Sequence, residues 1–429
     1  MSDHFADIAD RIAASVAQLA DEEVAFLQHL VRIPSVTGDE FAVQQAIADR
    51  FRAANLDTRV EEPQNADLAP WAEHITAVPS YHHRPNVIGI RRGSGGGRSL
   101  ILNAHIDTVE LGDREHWNLD PLGGDVVDGR LYGRGSCDMK GGLVSNFFAL
   151  LALEHAGYVP QGDVILESTV SEEDGGAGAL SAVLTGPKAD AVIISEPTQR
   201  AIIPAQGGSL MFRIFVEGRS AHACMRNEGQ SAIESWAGLH QGLLAFEDRR
   251  NREITDPLYA MYANKIPINV GTLRSGNWPS SVPEWLVAEG RAGMVPGEDL
   301  EGFKRRFRDE VAAIASRDPW LSDHPPRIEW MDGQFAAAGI ASDHPLVGTI
   351  AAAHREQSGS DPKIEGVTYG ADMRHYILAG DMPCLLYGAG DVRLAHAPNE
   401  SIPIDELLGA TATLALTIAK WCGFQPAHH

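Results

Sequence analysis

The chain has 429 residues, 44% hydrophobic and 22% charged, an ordinary balance that excludes a mainly disordered or fibrous protein. At roughly 100–200 residues per domain, its length allows two or three domains. With 35 basic against 58 acidic residues the formal charge is −23, which disfavours nucleic acid and anionic lipid as partners.

Apolar residues at helical spacing over 5–31, such as Ile8, Ile12, Val16, Leu27 and Leu30, predict a first helix, stopped at Ile33-Pro34-Ser35. A second is predicted over 41–54. Residues 62–84 are rich in Pro, Ala and His without a period and read as a surface loop. Strands and helices then alternate: strand 86–91, a glycine run 93–97 that reads as a hairpin turn, strand 99–104, helix 140–155, strand 163–170, helix 176–184 and strand 189–194. This alternation predicts the α/β class, with a mostly parallel sheet covered by helices on both faces. Beyond Pro204 the pattern becomes strand 210–216, helix 231–246, strands 266–273 and 285–292, helix 300–315 and strand 327–330. That β-α-β-β-α-β order predicts a ferredoxin-like α+β unit. We place it at 207–333, inserted into a discontinuous domain of 1–206 and 334–429.

The four cysteines, Cys137, Cys224, Cys384 and Cys422, form no CxxC pair and no disulfide framework, so a reducing compartment is expected. No basic-then-apolar leader and no apolar run of ~18 residues are present, so a cytoplasmic protein without a membrane span is expected.

In open parallel sheets ligands gather beyond the carboxyl ends of strands. Those ends carry His105-Ile106-Asp107, Ser171-Glu172-Glu173-Asp174 and Ser195-Glu196-Pro197. A late strand over 383–387 leads into a loop reaching His396, and Asp138 sits just before the helix over 140–155. Carboxylates gathered at one edge repel each other, and divalent cations offset that repulsion. Imidazole and carboxylate are ligands that zinc accepts. Asp107, two residues from His105 in extended chain, lies on the same face and can fix its tautomer. Of the adjacent Glu172 and Glu173, one can bind metal while the other acts as a base. Cys137 lacks a partner histidine and reads as a small residue packed beneath the site. Arg249, Arg250 and Arg252 read as a surface helix end, and His82-His83 and His428-His429 as solvent-exposed.

Together these residues identify a resemblance. The chain resembles the M20 metallopeptidase family, in the branch of acetylornithine deacetylases, succinyl-diaminopimelate desuccinylases, aminoacylases and glutamate carboxypeptidases. The resemblance spans nearly the whole chain. It rests on Asn103-Ala104-His105-Ile106-Asp107, Gly133-Arg134-Gly135-Ser136-Cys137-Asp138-Met139-Lys140, Ser171-Glu172-Glu173, Ser195-Glu196-Pro197, Gly218-Arg219-Ser220-Ala221-His222 and Ala395-His396-Ala397-Pro398-Asn399-Glu400.

It implies a two-zinc site, with Co2+ or Mn2+ as substitutes. His105 and Glu196 would hold one ion, Glu173 and His396 the other, and Asp138 would bridge them. The resemblance makes Glu172 the general base and Asp107 the residue that orients His105. It also implies a cis peptide bond after Asp138. A homodimer through the inserted unit is implied, with His222 reaching the partner's site to stabilise the oxyanion. Asn269 and Arg374 match substrate-binding positions, Arg374 for a carboxylate. Tyr369 stands where threonine or serine is more usual, and Trp278 either shapes the pocket or packs in the insert's core.

The expected activity is hydrolysis of an amide that releases an N-acyl group from an amino acid or related small amine, deacetylase-like. A dipeptidase or carboxypeptidase, or an N-formyl or N-carbamoyl amidase, is the alternative within the family. A metal-binding relative without activity is the alternative outside it.

Overall fold

The computed structural model describes residues 2–76 and 78–427. Its larger sheet has nine strands. The centre is parallel: Val164–Thr169, Leu100–His105, Val192–Ile194 and Cys384–Leu386 run side by side in that order. The flanks are antiparallel. Asn86–Arg91 pairs with Val164–Thr169, Asp57–Glu61 with Asn86–Arg91, and Ile202–Gln206 with Cys384–Leu386. The central strands are buried along their whole length, which suits their apolar residues. Helices Ser2–Arg32, Gly141–His155, Pro345–Ser358 and Ile404–Cys422 pack together as one layer, and Ala177–Thr185 packs with Met373–Leu378 as another. No helix among the described residues is long and apolar enough to cross a membrane.

The glycine run does not make a hairpin. Val164–Thr169 lies between the two strands that the run connects, so those strands never pair. The turn instead crosses over neighbouring main chain at close range. A Cβ on Gly97 would sit 1.8 Å from the Cys422 carbonyl oxygen, and one on Gly93 would sit 2.2 Å from that of Gln161. Only glycine permits that approach. The segment over 62–84 is also more ordered than its composition suggests. It carries the helix Asn65–Leu68 and the 3-10 helix Ala69–His74, and it buries Leu68, Ile75 and Tyr81 against Ala177 and Leu180.

The second sheet is antiparallel. Gly208–Glu217 lies between Trp285–Met294 and Arg327–Trp330, and Ile268–Ser275 forms the far edge. Alternate residues of Gly208–Glu217 are buried, so one face meets the helices Ala232–Glu253 and Leu300–Ala315. This is the ferredoxin-like arrangement, with its own core around Phe212, Ile214, Leu243, Phe303 and Phe307. Leu300–Ala315 spans the residues its pattern predicts, and Asp299 caps its start by accepting the Gly302 N–H at 2.6 Å.

Arg250 corrects the surface reading of its cluster. The first helix of this unit continues to Glu253, and Arg250 is buried on its inner side. Its guanidinium bonds both oxygens of Glu298 at 2.9 and 2.7 Å and the Gly293 carbonyl at 3.0 Å. A buried cation is tolerable when it is paired in this way. His82 and His83 are exposed as expected, whereas His428 and His429 lie outside the described residues.

Candidate active site

Parallel strands bring their carboxyl ends to one edge, and that edge collects the predicted ligands. His105 is the last residue of Leu100–His105, Glu172 and Glu173 follow Val164–Thr169, and Glu196 follows Val192–Ile194. His396 arrives from the loop beyond Cys384–Leu386 with a left-handed φ of 60°. Asp138 comes from the turn before Gly141–His155, and the Asp138–Met139 peptide bond is cis, as expected. Asp138 lies between the imidazoles: Oδ1 is 3.0 Å from His105 Nε2 and Oδ2 is 3.5 Å from His396 Nε2. Glu173 Oε2 is 3.0 Å from the same His396 nitrogen. A cavity of about 190 Å3 opens here, lined by Asp138, Glu172, Glu173, Glu196, Tyr369 and His396.

Supporting contacts differ in part from those expected. His105 Nδ1 lies 3.0 Å from the main-chain carbonyl of Asp107, whereas the nearer Asp107 carboxylate oxygen is 3.7 Å away. The carbonyl therefore sets the tautomer, with Nδ1–H donating and Nε2 presented to the cavity. The carboxylate of Asp107 holds the next turn instead. It accepts the Thr37 hydroxyl at 2.9 Å and the N–H groups of Glu172 and Glu173 at 3.1 and 3.2 Å.

Glu400 has a role that its motif alone does not reveal. One of its oxygens accepts the N–H groups of Cys137 and Asp138 at 2.9 and 3.0 Å. The other accepts the Gly135 N–H at 3.0 Å and the Arg134 guanidinium at 2.8 Å. Asp372 was also unassigned. It is buried near Glu172, and neither of its carboxylate oxygens has a hydrogen-bond partner.

The electrostatics show a site short of positive charge. Burial, then the charge of Asp138, pushes the Glu196 carboxyl up to about 8. Burial, then Asp372, pushes Glu172 well above the carboxylate range, and burial raises Glu173. Burial opposes ionisation of Asp138, yet its bonds to His105 and His396 hold it below the usual value. Those of His396 to Asp138 and Glu173 raise its imidazole to about 10. The donor set fits divalent metal ions, whose binding displaces protons from these groups.

Cys137 packs rather than reacts. It is buried, its Sγ lies 3.5 Å from the Asp391 carbonyl, and burial holds its thiol well above the ordinary range.

Residues 101–420 match Peptidase family M20/M25/M40. The chain belongs to the M20 family. It is a hydrolase of amide bonds. It is 31% identical over 374 residues to an N-formyl-4-amino-5-aminomethyl-2-methylpyrimidine deformylase of Halalkalibacterium halodurans, covering 81% of this chain and 85% of that protein. It is 28% identical over 347 residues to an acetylornithine deacetylase of Myxococcus xanthus, covering 79% and 84%. Among solved structures, a tripeptidase from Staphylococcus aureus shares the fold with a TM-score of 0.72 at 21% identity, over 94% of this chain and 98% of that one.

Three other predicted residues of this M20 hydrolase do not line the cavity. His222 is exposed on the inserted unit and caps the 3-10 helix Ala223–Glu228, with Nδ1 accepting the Cys224 N–H at 3.2 Å. Asn269 is exposed on the edge strand Ile268–Ser275. Arg374 is buried in Met373–Leu378, where its guanidinium donates to the Ala371 and Gly175 carbonyls at 2.7 and 2.8 Å and lies over the Phe335 ring. It ties down the end of the turn that carries Glu172 and Glu173. Trp278 is 69% exposed and stands outside the insert's core.

Proposed function

We propose that this M20 hydrolase removes a short N-acyl group, acetyl or formyl, from an amino acid or related small amine. The observation that carries this reading is the convergence of Glu172 with the carboxylate and imidazole ligands on one cavity of about 190 Å3. The names of the two sequence relatives, a deformylase and a deacetylase, support the same class. Four free cysteines support a reducing, cytoplasmic setting.

In this reading His105 and Glu196 would hold one zinc ion and Glu173 and His396 would hold a second, with Asp138 available to both. The placement of its two carboxylate oxygens toward the two imidazoles supports that role. When bound, the divalent ions supply charge that polarises an amide carbonyl and makes water more acidic. Glu172 takes the proton from the attacking water and returns it to the leaving nitrogen. Asp107 holds the Glu172 main chain, and Arg374 fastens the end of the same turn. We assign His222 and Asn269 to a neighbouring protomer's cavity in a homodimer, His222 as the donor to the oxyanion.

The test is zinc-dependent hydrolysis across N-acetyl, N-formyl, N-succinyl and N-carbamoyl amino acids and dipeptides, with Glu172→Ala alongside. Turnover of acetyl or formyl compounds, lost on chelation and in the variant, is expected. Turnover of dipeptides alone would overturn the short-acyl reading.

A further inference from the structure

A second set of metal-type ligands lies away from the cavity, and nothing in the hydrolase reading uses it. Glu62 directly follows the strand Asp57–Glu61, and His82 and His83 lie at the end of the segment that returns toward Asn86–Arg91. One ligand atom from each of the three lies within 4.8 Å of the others. We propose that Glu62, His82 and His83 form an ancillary site for one divalent transition-metal ion, with Zn2+ the natural fit.

The donor chemistry is two imidazoles and a carboxylate, a set that suits zinc and leaves a coordination position for water. The donors are already oriented. The His83 N–H donates to Glu62 Oε1 at 2.8 Å, which leaves Oε2 facing His82 Nδ1 at 3.5 Å. His83 has a left-handed φ of 61°, and its ring meets Phe41 edge-on at 5.0 Å. The two imidazole centroids are 4.0 Å apart, and the His82 N–H is held by Ser80 Oγ at 3.0 Å. His82 is exposed and the Glu62 side chain is 34% exposed, so an ion from solution has access.

The site is anchored on both sides. Glu62 continues from a strand paired in the main sheet. Arg84, next to His83, is buried and bonds both oxygens of Glu40 at 2.8 and 2.6 Å. It also lies 3.7 Å from Asp174, the residue after Glu173. An ion on Glu62, His82 and His83 therefore steadies the segment that braces the Glu172–Glu173 turn from outside the cavity.

The experiment uses the full chain with its cavity ions loaded and adds Zn2+ by equilibrium dialysis. Wild type is compared with His82→Ala and with His83→Asn, since asparagine tolerates the left-handed backbone. The wild type should bind one more zinc per chain than either variant. All three should hydrolyse substrate equally before the extra zinc is added. The added zinc should slow amide exchange over 80–84 in the wild type alone. Equal zinc uptake by all three proteins, or an extra zinc that both variants retain, overturns the proposal.

Discussion

Glu400 shows how much one side chain can hold in place. Its buried carboxylate satisfies three main-chain N–H groups around Asp138 as well as the Arg134 guanidinium. Glu400→Ala removes the acceptor of the three N–H groups and leaves the Arg134 guanidinium with only the Ala397 carbonyl at 3.3 Å. Metal affinity should then fall roughly 10–100-fold, as when other supports behind a metal ligand are removed. Stability should fall by about 3–5 kcal/mol, the usual result of removing one partner from a buried ion pair. Metal titration and thermal unfolding check the two effects, and unaltered affinity would mean that Asp138 is positioned by other contacts. Position along the sequence gathers His105, the Glu172–Glu173 pair, Glu196 and His396 at one edge, because each lies at a strand end or in the loop beyond it; only the family resemblance makes Glu173 the ligand of its pair. Position could not name the partner of Asp138, because the turn before Gly141–His155 and Glu400 meet only in the folded chain. Arg374 is a similar case: its motif suggests a substrate anchor, but both of its terminal nitrogens donate to main-chain carbonyls, of Ala371 and Gly175. Arg374→Ala should therefore lower kcat for substrates with and without a carboxylate. A rise in KM confined to carboxylate substrates would return it to a direct binding role.

At the scale of elements, the packing of Ser2–Arg32 against Ile404–Cys422 buries Glu23 completely. The Thr411 hydroxyl donates to one of its oxygens, and the other has no partner. Burial pushes this carboxyl from 4.5 up to about 8. Between those values the folded state keeps a proton that the unfolded chain has lost. The contribution of Glu23 to stability therefore falls as pH rises from about 4.5 to about 8, then levels off. Glu23→Gln should remove that slope. Its melting temperature should match wild type near pH 4.5 and exceed it by a few degrees at pH 8. Parallel pH profiles for the two proteins would show that Glu23 is already ionised in the fold. The helical period predicted both elements, but the meeting of Glu23 with Thr411 is a property of their packing.

For the whole molecule, the ferredoxin-like unit presents His222 to solvent rather than to the chain's own cavity. If a second protomer receives it, activity depends on assembly. His222→Ala should lower kcat by roughly 10²–10³, the usual effect of losing an oxyanion donor, with little change in metal content. Mixing His222→Ala chains with Glu172→Gln chains should restore turnover, because each mixed dimer contains one complete site. No recovery after verified subunit exchange would confine His222 to its capping role.

Local patterns in the chain specify most of its helices and strands and gather the metal-type ligands at one sheet edge. Apolar periods and the residues just beyond the strands act over a few positions, so they can be read locally. That is why Leu300–Ala315 and the ligand edge were legible. Pairings between distant segments arise only when the chain folds. Folding inserted Val164–Thr169 between two strands that the glycine run would otherwise have joined, and it took Arg250 inward to Glu298. It also gave the carboxylate of Asp107 to the Glu172–Glu173 turn instead of to His105. Main-chain donors and buried charges take whatever partners packing brings within reach, and their neighbours in sequence do not specify which those will be.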